Sequence, residues 1–117
     1  MKKVYKTLFF DWNKTLSHSL FWEQWHNDNH PNRDKSEILT RELFMNNGDV
    51  IKKWMLGDVV SEDIAELLSE KVGLSKKEII DDLSYSCQNM SYAFDGLLKI
   101  IQDLRKSGIK CVIATDN

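Results

Sequence analysis

Asp11 stands directly after a short apolar run, Val4 to Phe10, and Asn13 and Thr15 follow it at alternate positions. Thr115 and Asp116 follow a second apolar run, Ile109 to Ala114. These residue types fit phosphoryl transfer through a covalent intermediate. A carboxylate attacks, a cation offsets the phosphate charge, and hydroxyl and amide donors hold the phosphate oxygens. If the two runs are neighbouring parallel strands, Asp11 and Thr115 meet at the strand C-termini, where ligands bind in open parallel sheets. On spacing alone, two unrelated turn residues account for them equally well.

Other residues could carry chemistry, each with a plainer reading beside it. His26 and His30 stand at i and i+4 with Asp28 between them, a spacing at which one helix face can share a metal. Asn27, Asn29 and Pro31 break such a helix, so a solvated polar loop is expected. Trp22, Trp25 and Trp54 could line a substrate cleft, but core packing is the expectation for each. Asp81-Asp82 and Glu62-Asp63 fall in first helical turns or on exposed faces, where dipole or solvation roles suffice. Cys87 has no partner His in view and is expected to be a buried, inert thiol.

The elements that must position these groups can be read from periodicity. Val4–Phe10 and Ile109–Ala114 are too short for helices and read as strands apolar on both faces. Asp11–Ser17 reads as a loop, and helical patterning runs from Leu20 to about Met90. Phe21, Trp22 and Trp25 predict a helical segment over 20–27. Asp34 is expected to cap a helix reaching about Asn46, with Ile38, Leu39, Leu43 and Phe44 on its apolar face. A short helix is predicted from Gly48 or Asp49 through Met55. Ser61 is expected as the N-cap of a helix ending before Gly73, and Ser75-Lys-Lys-Glu78 has the form of a capping box. Asp95 is expected to cap a helix with Leu97, Leu98, Ile100, Ile101 and Leu104 on one face and Gly108 as its stop. The order strand, helical block, helix, strand predicts a parallel crossover with the block as an insertion. The expected divisions are 1–17 (core strand and loop), 18–92 (helical block) and 93–117 (core helix and second strand).

The 117 residues suit one small domain. The 42% hydrophobic and 29% charged content excludes collagen, low-complexity disorder and a disulfide scaffold. Cys87 and Cys111 lie far apart and read as reduced thiols, consistent with a cytoplasmic location. The formal charge of −2 includes no basic block, so no nucleic-acid arm is expected. No apolar run approaches the roughly 18–20 residues of a membrane span, and Asp11 interrupts any signal-peptide reading. Residues 18–92 carry 8 basic and 14 acidic groups, against 8 and 4 in the flanks, a balance that mildly favours an anionic ligand on the flanks, although two unevenly charged surfaces account for it equally well.

Leu8-Phe9-Phe10-Asp11-Trp12-Asn13-Lys14-Thr15-Leu16 resembles the first motif of the haloacid dehalogenase-like (HAD) superfamily, an apolar strand followed by Asp-x-Asp-Gly-Thr-Leu or Val. Ile113-Ala114-Thr115-Asp116-Asn117 resembles its second motif. The helical block, with Trp54-x-x-Gly57 and Ser61-Glu62-Asp63, is similar to the cap inserted between these motifs in one subfamily. The resemblance implies an α/β fold: a partial Rossmann-like core of parallel strands with an inserted all-helical cap. It implies a phosphatase-type hydrolase acting on a small phosphorylated metabolite. Asp11 would be the nucleophile and a Mg²⁺ ligand, the Asn13 carbonyl a second ligand, and Thr115 and the Asp116 amide the phosphoryl-binding groups. Three departures follow. The family's acid/base Asp is Asn13, which has no proton to give and so loses a role typically worth ~10²–10⁴-fold. The usual Gly is Lys14. The family's Lys and acidic-cluster motifs have no counterpart, so the Mg²⁺ site is expected to be incomplete and the chain to resemble the N-terminal half of an enzyme. A non-catalytic binding or regulatory protein on the same scaffold is the competing expectation. Strands apolar on both faces also predict self-association through the sheet, pairing with a second chain, or loss of order at the first and last strands.

Overall fold

The computed structural model describes residues 4–114, which form a mixed α/β structure. Its elements, in chain order, are β1 (Thr7–Phe10), α1 (Ser36–Leu39), α2 (Gly48–Met55), α3 (Ser61–Val72), α4 (Lys76–Gln88), α5 (Leu97–Lys106) and β2 (Lys110–Ile113). Single 3₁₀ turns occupy Glu23–His26 and Arg33–Lys35, and a π-turn at Thr40–Met45 continues α1. The chain divides into two compact units. Among the described residues the sheet unit holds 4–19 and 90–114, and the helical unit is Leu20–Asn89.

In the helical unit, α4 begins where its local sequence requires. The Ser75 hydroxyl accepts from the Glu78 N–H (3.2 Å), and the Glu78 carboxylate accepts from the Ser75 N–H (2.9 Å). The helix before it ends at Gly73, whose φ of 71° lies in the left-handed region that glycine enters without a Cβ penalty. The buried core joins Trp22 and Trp25 to Leu39 and Leu43 of the second helical stretch, Ile64, Ala65, Leu68 and Val72 of α3, and Ile79 and Leu83 of α4. Leu39 and Leu43 are one helical turn apart, as are Ile64 and Leu68, so each pair presents one face.

Several expectations are corrected here. The segment 20–27 is one 3₁₀ turn, because Trp22 takes a left-handed conformation (φ 54°) just before it. The stretch expected as one helix from Asp34 to Asn46 passes through 3₁₀, α and π geometry, with Asp34 inside the first turn. There the Thr40 hydroxyl donates back to the Ser36 carbonyl (2.9 Å), and the Asn46 N–H reaches the Arg41 carbonyl five residues earlier. Phe44 is consequently exposed. Val60, not Ser61, caps α3: the Asp63 carboxylate accepts from the Val60 N–H (3.0 Å). Cys87 is exposed although it stands one turn after the buried Leu83, because Ser86 is the residue of that last turn that meets the Trp22 backbone.

In the sheet unit, β1 and β2 pair in parallel with Thr7 opposite Lys110 and Phe10 opposite Ile113. The predicted parallel pairing is therefore present, over shorter strands than expected. The strands are not buried on both faces: Phe9 is 70% and Ile113 56% exposed, since among the described residues this unit has one helix, α5, to pack against its sheet. Asp95 does not cap α5. Gly96 takes that position with φ 88°, a conformation that an aspartate would enter only with strain. Of the five residues expected on the apolar face, Leu97 is buried and Ile101 and Leu104 are half-buried, while Leu98 and Ile100 are exposed.

Candidate active site

Asp11 is the first residue past β1, and the register sets it beside Ala114, whose N–H donates to the Phe10 carbonyl (2.8 Å). The Asp11 side chain is at the surface. Thr115 and Asp116, the expected phosphoryl-binding groups, lie outside the described residues.

The loop after Asp11 closes on itself. The Ser17 N–H donates to the Trp12 carbonyl (3.0 Å), and the Lys14 N–H donates to the Ser17 carbonyl (2.7 Å), forming a one-residue bridge between Asn13 and Ser17. The bridge holds Lys14 at φ 60°. A glycine would occupy this position without strain, so the departure at Lys14 falls where side chains are disfavoured. The loop is anchored by Leu16 and Ser17, both buried. The Leu16 carbonyl accepts from the Ala93 N–H (2.7 Å), and the Ser17 hydroxyl donates to the Ser91 carbonyl. Trp12 completes the anchor, with its indole N–H on the Met90 sulfur (3.3 Å) and its ring edge-on to Tyr92 (6.2 Å between centroids). These contacts hold the backbone of Asp11 and Asn13 while leaving both side chains exposed. The Asn13 carbonyl takes part in none of the loop's backbone hydrogen bonds among the described residues.

Mg²⁺ requires about six oxygen ligands, several of them carboxylate or water. The loop offers one carboxylate, Asp11, and one free carbonyl, Asn13. No group of three or more His, Cys, Asp or Glu side chains able to hold a metal occurs among the described residues. The described residues therefore do not fit a Mg²⁺ site.

A cavity of about 570 Å³ opens in the same unit, lined by residues that include Phe10, Trp12, Tyr92, Ile101, Arg105 and Cys111. Periodicity and spacing give Arg105, Trp12 and Tyr92 no role in a site. Their meeting depends on contacts between residues far apart in the chain, which periodicity does not report.

The remaining candidates have structural roles. The Trp22 indole donates to the Ile79 carbonyl (2.9 Å), and the tryptophans pack on one another with ring centroids 6.3 Å apart for both Trp22–Trp25 and Trp22–Trp54. Asp82, expected to be merely solvated, accepts from the Trp25 indole (2.6 Å) and the Asn32 amide (3.3 Å). Its backbone carbonyl accepts from the Gln24 amide (2.7 Å), which leaves Gln24 Oε1 buried without a partner among the described residues. Asp81 forms an exposed ion pair with Lys77 one turn away. His30 Nδ1 accepts from the Asn32 N–H (3.0 Å) within a turn, and His26 is exposed. Desolvation pushes the Cys87 thiol pKa up, against a hydrogen bond with Ser86 that lowers it, the opposite of an activated nucleophile.

No protein-family model, curated protein or solved structure matches the chain. No helix among the described residues is long and apolar enough to cross a membrane.

Proposed function

We propose that the sheet unit is part of a Rossmann-like HAD core, that Leu20–Asn89 is its inserted helical cap, and that Asp11 is a phosphoryl-accepting nucleophile. The substrate class is a small phosphorylated metabolite. The observation that carries the reading is the parallel β1–β2 pair ending at Asp11, an exposed carboxylate on a loop whose backbone is held by Leu16 and Ser17. In the reaction, an Asp11 oxygen bonds to phosphorus as the bond from phosphorus to the leaving oxygen breaks. Asn13 has no proton to give, so that oxygen departs as an anion or takes its proton from water. Water then attacks the phosphorus of the aspartyl-phosphate, releasing inorganic phosphate and regenerating Asp11.

This assignment makes the leaving group decisive. An aryl phosphate departs as a stabilised phenolate and needs no acid, whereas an alkyl phosphate does. The full chain is expected to cleave 4-nitrophenyl phosphate slowly and alkyl phosphates hardly at all. Asp11→Asn should abolish the aryl activity, and Asn13→Asp should raise alkyl turnover by about 10²–10⁴-fold. Aryl turnover indifferent to Asp11→Asn would overturn the reading.

The second reading is a non-catalytic binding protein on the same scaffold. Asn13 and the single loop carboxylate favour it. Its signature is the absence of turnover in both the native chain and Asn13→Asp, together with saturable binding of a phosphate ester.

A further inference from the structure

Lys14 holds a backbone conformation that its side chain makes costly. It is the third residue of the turn closed by the Thr15 N–H on the Trp12 carbonyl (3.3 Å), and its φ of 60° suits a glycine at that place. The fold draws nothing from the lysine side chain in return. That side chain is exposed and forms no ion pair with a described residue. The bond that fixes the residue runs from its backbone N–H to the Ser17 carbonyl (2.7 Å), which a glycine would make as well. Strained residues of this kind gather at ligand sites.

The surroundings of Lys14 indicate which ligand. It stands three positions after Asp11, a stretch that spans at most about 10 Å when fully extended. Here the stretch is curled, because the Leu16 N–H returns to the carbonyls of Asp11 (3.3 Å) and Trp12 (3.1 Å). Asp11 and Lys14 are both exposed, and Lys14 is the one lysine or arginine of the loop 11–17. Lys6 and Lys110 stand at the opposite end of the paired strands, where the Lys110 N–H donates to the Lys6 carbonyl (3.0 Å). A phosphate monoester near neutral pH is close to a dianion, and a carboxylate by itself repels it. An ammonium on a flexible four-carbon stem is a compact charge suited to phosphate oxygens.

We infer that Lys14 is the substrate-binding cation of this loop, holding the non-bridging oxygens of a phosphate monoester against Asp11. The inference rests on the reading of Asp11 as the phosphoryl acceptor. Lys14 donates hydrogen bonds and gives up no proton. It offsets charge while the Asp11 oxygen bonds to phosphorus, and the leaving oxygen still draws its proton from water. The strain at φ 60° is the cost of a charge placed where glycine would fold more easily.

The experiment measures binding of inorganic phosphate to the full chain by calorimetry, beside turnover of 4-nitrophenyl phosphate. Lys14→Gln should weaken phosphate binding about tenfold, the order expected of one surface lysine against a dianion, and flatten its salt dependence. Lys14→Arg keeps the charge and should stay within roughly threefold of the native affinity. Lys14→Gly should weaken binding as much as Lys14→Gln while raising the thermal midpoint, which separates the charge from the fold. Asp11→Asn should lose turnover yet bind phosphate more tightly, because the repulsion is gone. Native affinity in Lys14→Gln would overturn the inference, and the Asp11 reading would still stand if Asp11→Asn abolishes turnover. A native chain that binds no phosphate at about 10 mM would overturn the inference as well.

Discussion

The helical unit and the sheet unit carry similar residues to different ends. The helical unit closes ten apolar side chains into one core, and Trp22, Trp25, Leu43, Ile64 and Leu68 there are wholly enclosed. A buried hydroxyl helps to fix that core. Ser86 accepts from the Trp22 N–H (3.0 Å) and donates to the Leu83 carbonyl (2.7 Å), holding a tryptophan in the left-handed conformation that bulky residues avoid. In the sheet unit Leu16 and Leu97 are the buried apolar side chains among the described residues, while Phe9, Tyr5, Phe94 and Ile113 face water. Apolar content alone does not make a core. The packed helices of one unit enclose their side chains, whereas the two strands and one helix described in the other leave theirs on the outside.

The largest expected effect tests that contrast directly. Trp22→Ala removes a wholly buried indole and strips the Ile79 carbonyl of its donor, and should lower unfolding free energy by about 3–5 kcal/mol. Leu97→Ala in the sheet unit should cost roughly 2 kcal/mol or less, at the low end for such truncations. Urea titrations of the two variants measure this, and the reverse order would break the comparison. Hydrogen exchange sharpens it: amides of α3 and α4 should exchange more slowly than those of β1 and β2. Equal protection would mean that the two units unfold as one.

Asp82→Ala comes next. It leaves the Trp25 indole and the Asn32 amide without their acceptor and should cost about 1–3 kcal/mol by chemical denaturation. An unchanged midpoint would show that this carboxylate is dispensable to the core. In the sheet unit, Lys14→Gly relieves a left-handed side chain and should stabilise by up to about 1 kcal/mol, the strain relieved exceeding the glycine's added entropy in the unfolded chain. A fall in melting temperature would contradict that.

The smallest effect concerns pH. Hydrogen bonds from the Ser75 N–H and hydroxyl hold the Glu78 carboxyl below the usual carboxylate range, with a smaller contribution from Lys35. Its folded-state pKa lies below its unfolded one. Its contribution is therefore present above the unfolded value, about 4.3, and is lost as pH falls through the folded value. Glu78→Gln should flatten this part of the acid limb of stability, and an unaltered limb would show that the capping box contributes nothing measurable.

What the sequence determined by itself is what closes within a few residues. The Ser75–Glu78 box, the stop at Gly73, the bounds of α2 and the apolar character of β1 and β2 all rest on local spacing, and all are found in the structure. The parallel pairing also followed, from element order. Asp11 could be placed at a strand end for the same reason. Tertiary structure decided the rest. Ser61 yielded the cap to Val60 and Asp95 to Gly96, because backbone direction at each helix start depends on what the preceding segment packs against. Cys87 was exposed and Asp82 made a core acceptor by which side of α4 met Trp22 and Trp25, residues more than fifty positions earlier. The exposure of Phe9 came from how few elements cover its sheet. A residue's type records what it prefers to touch, and only the assembled chain decides whether anything is there to touch.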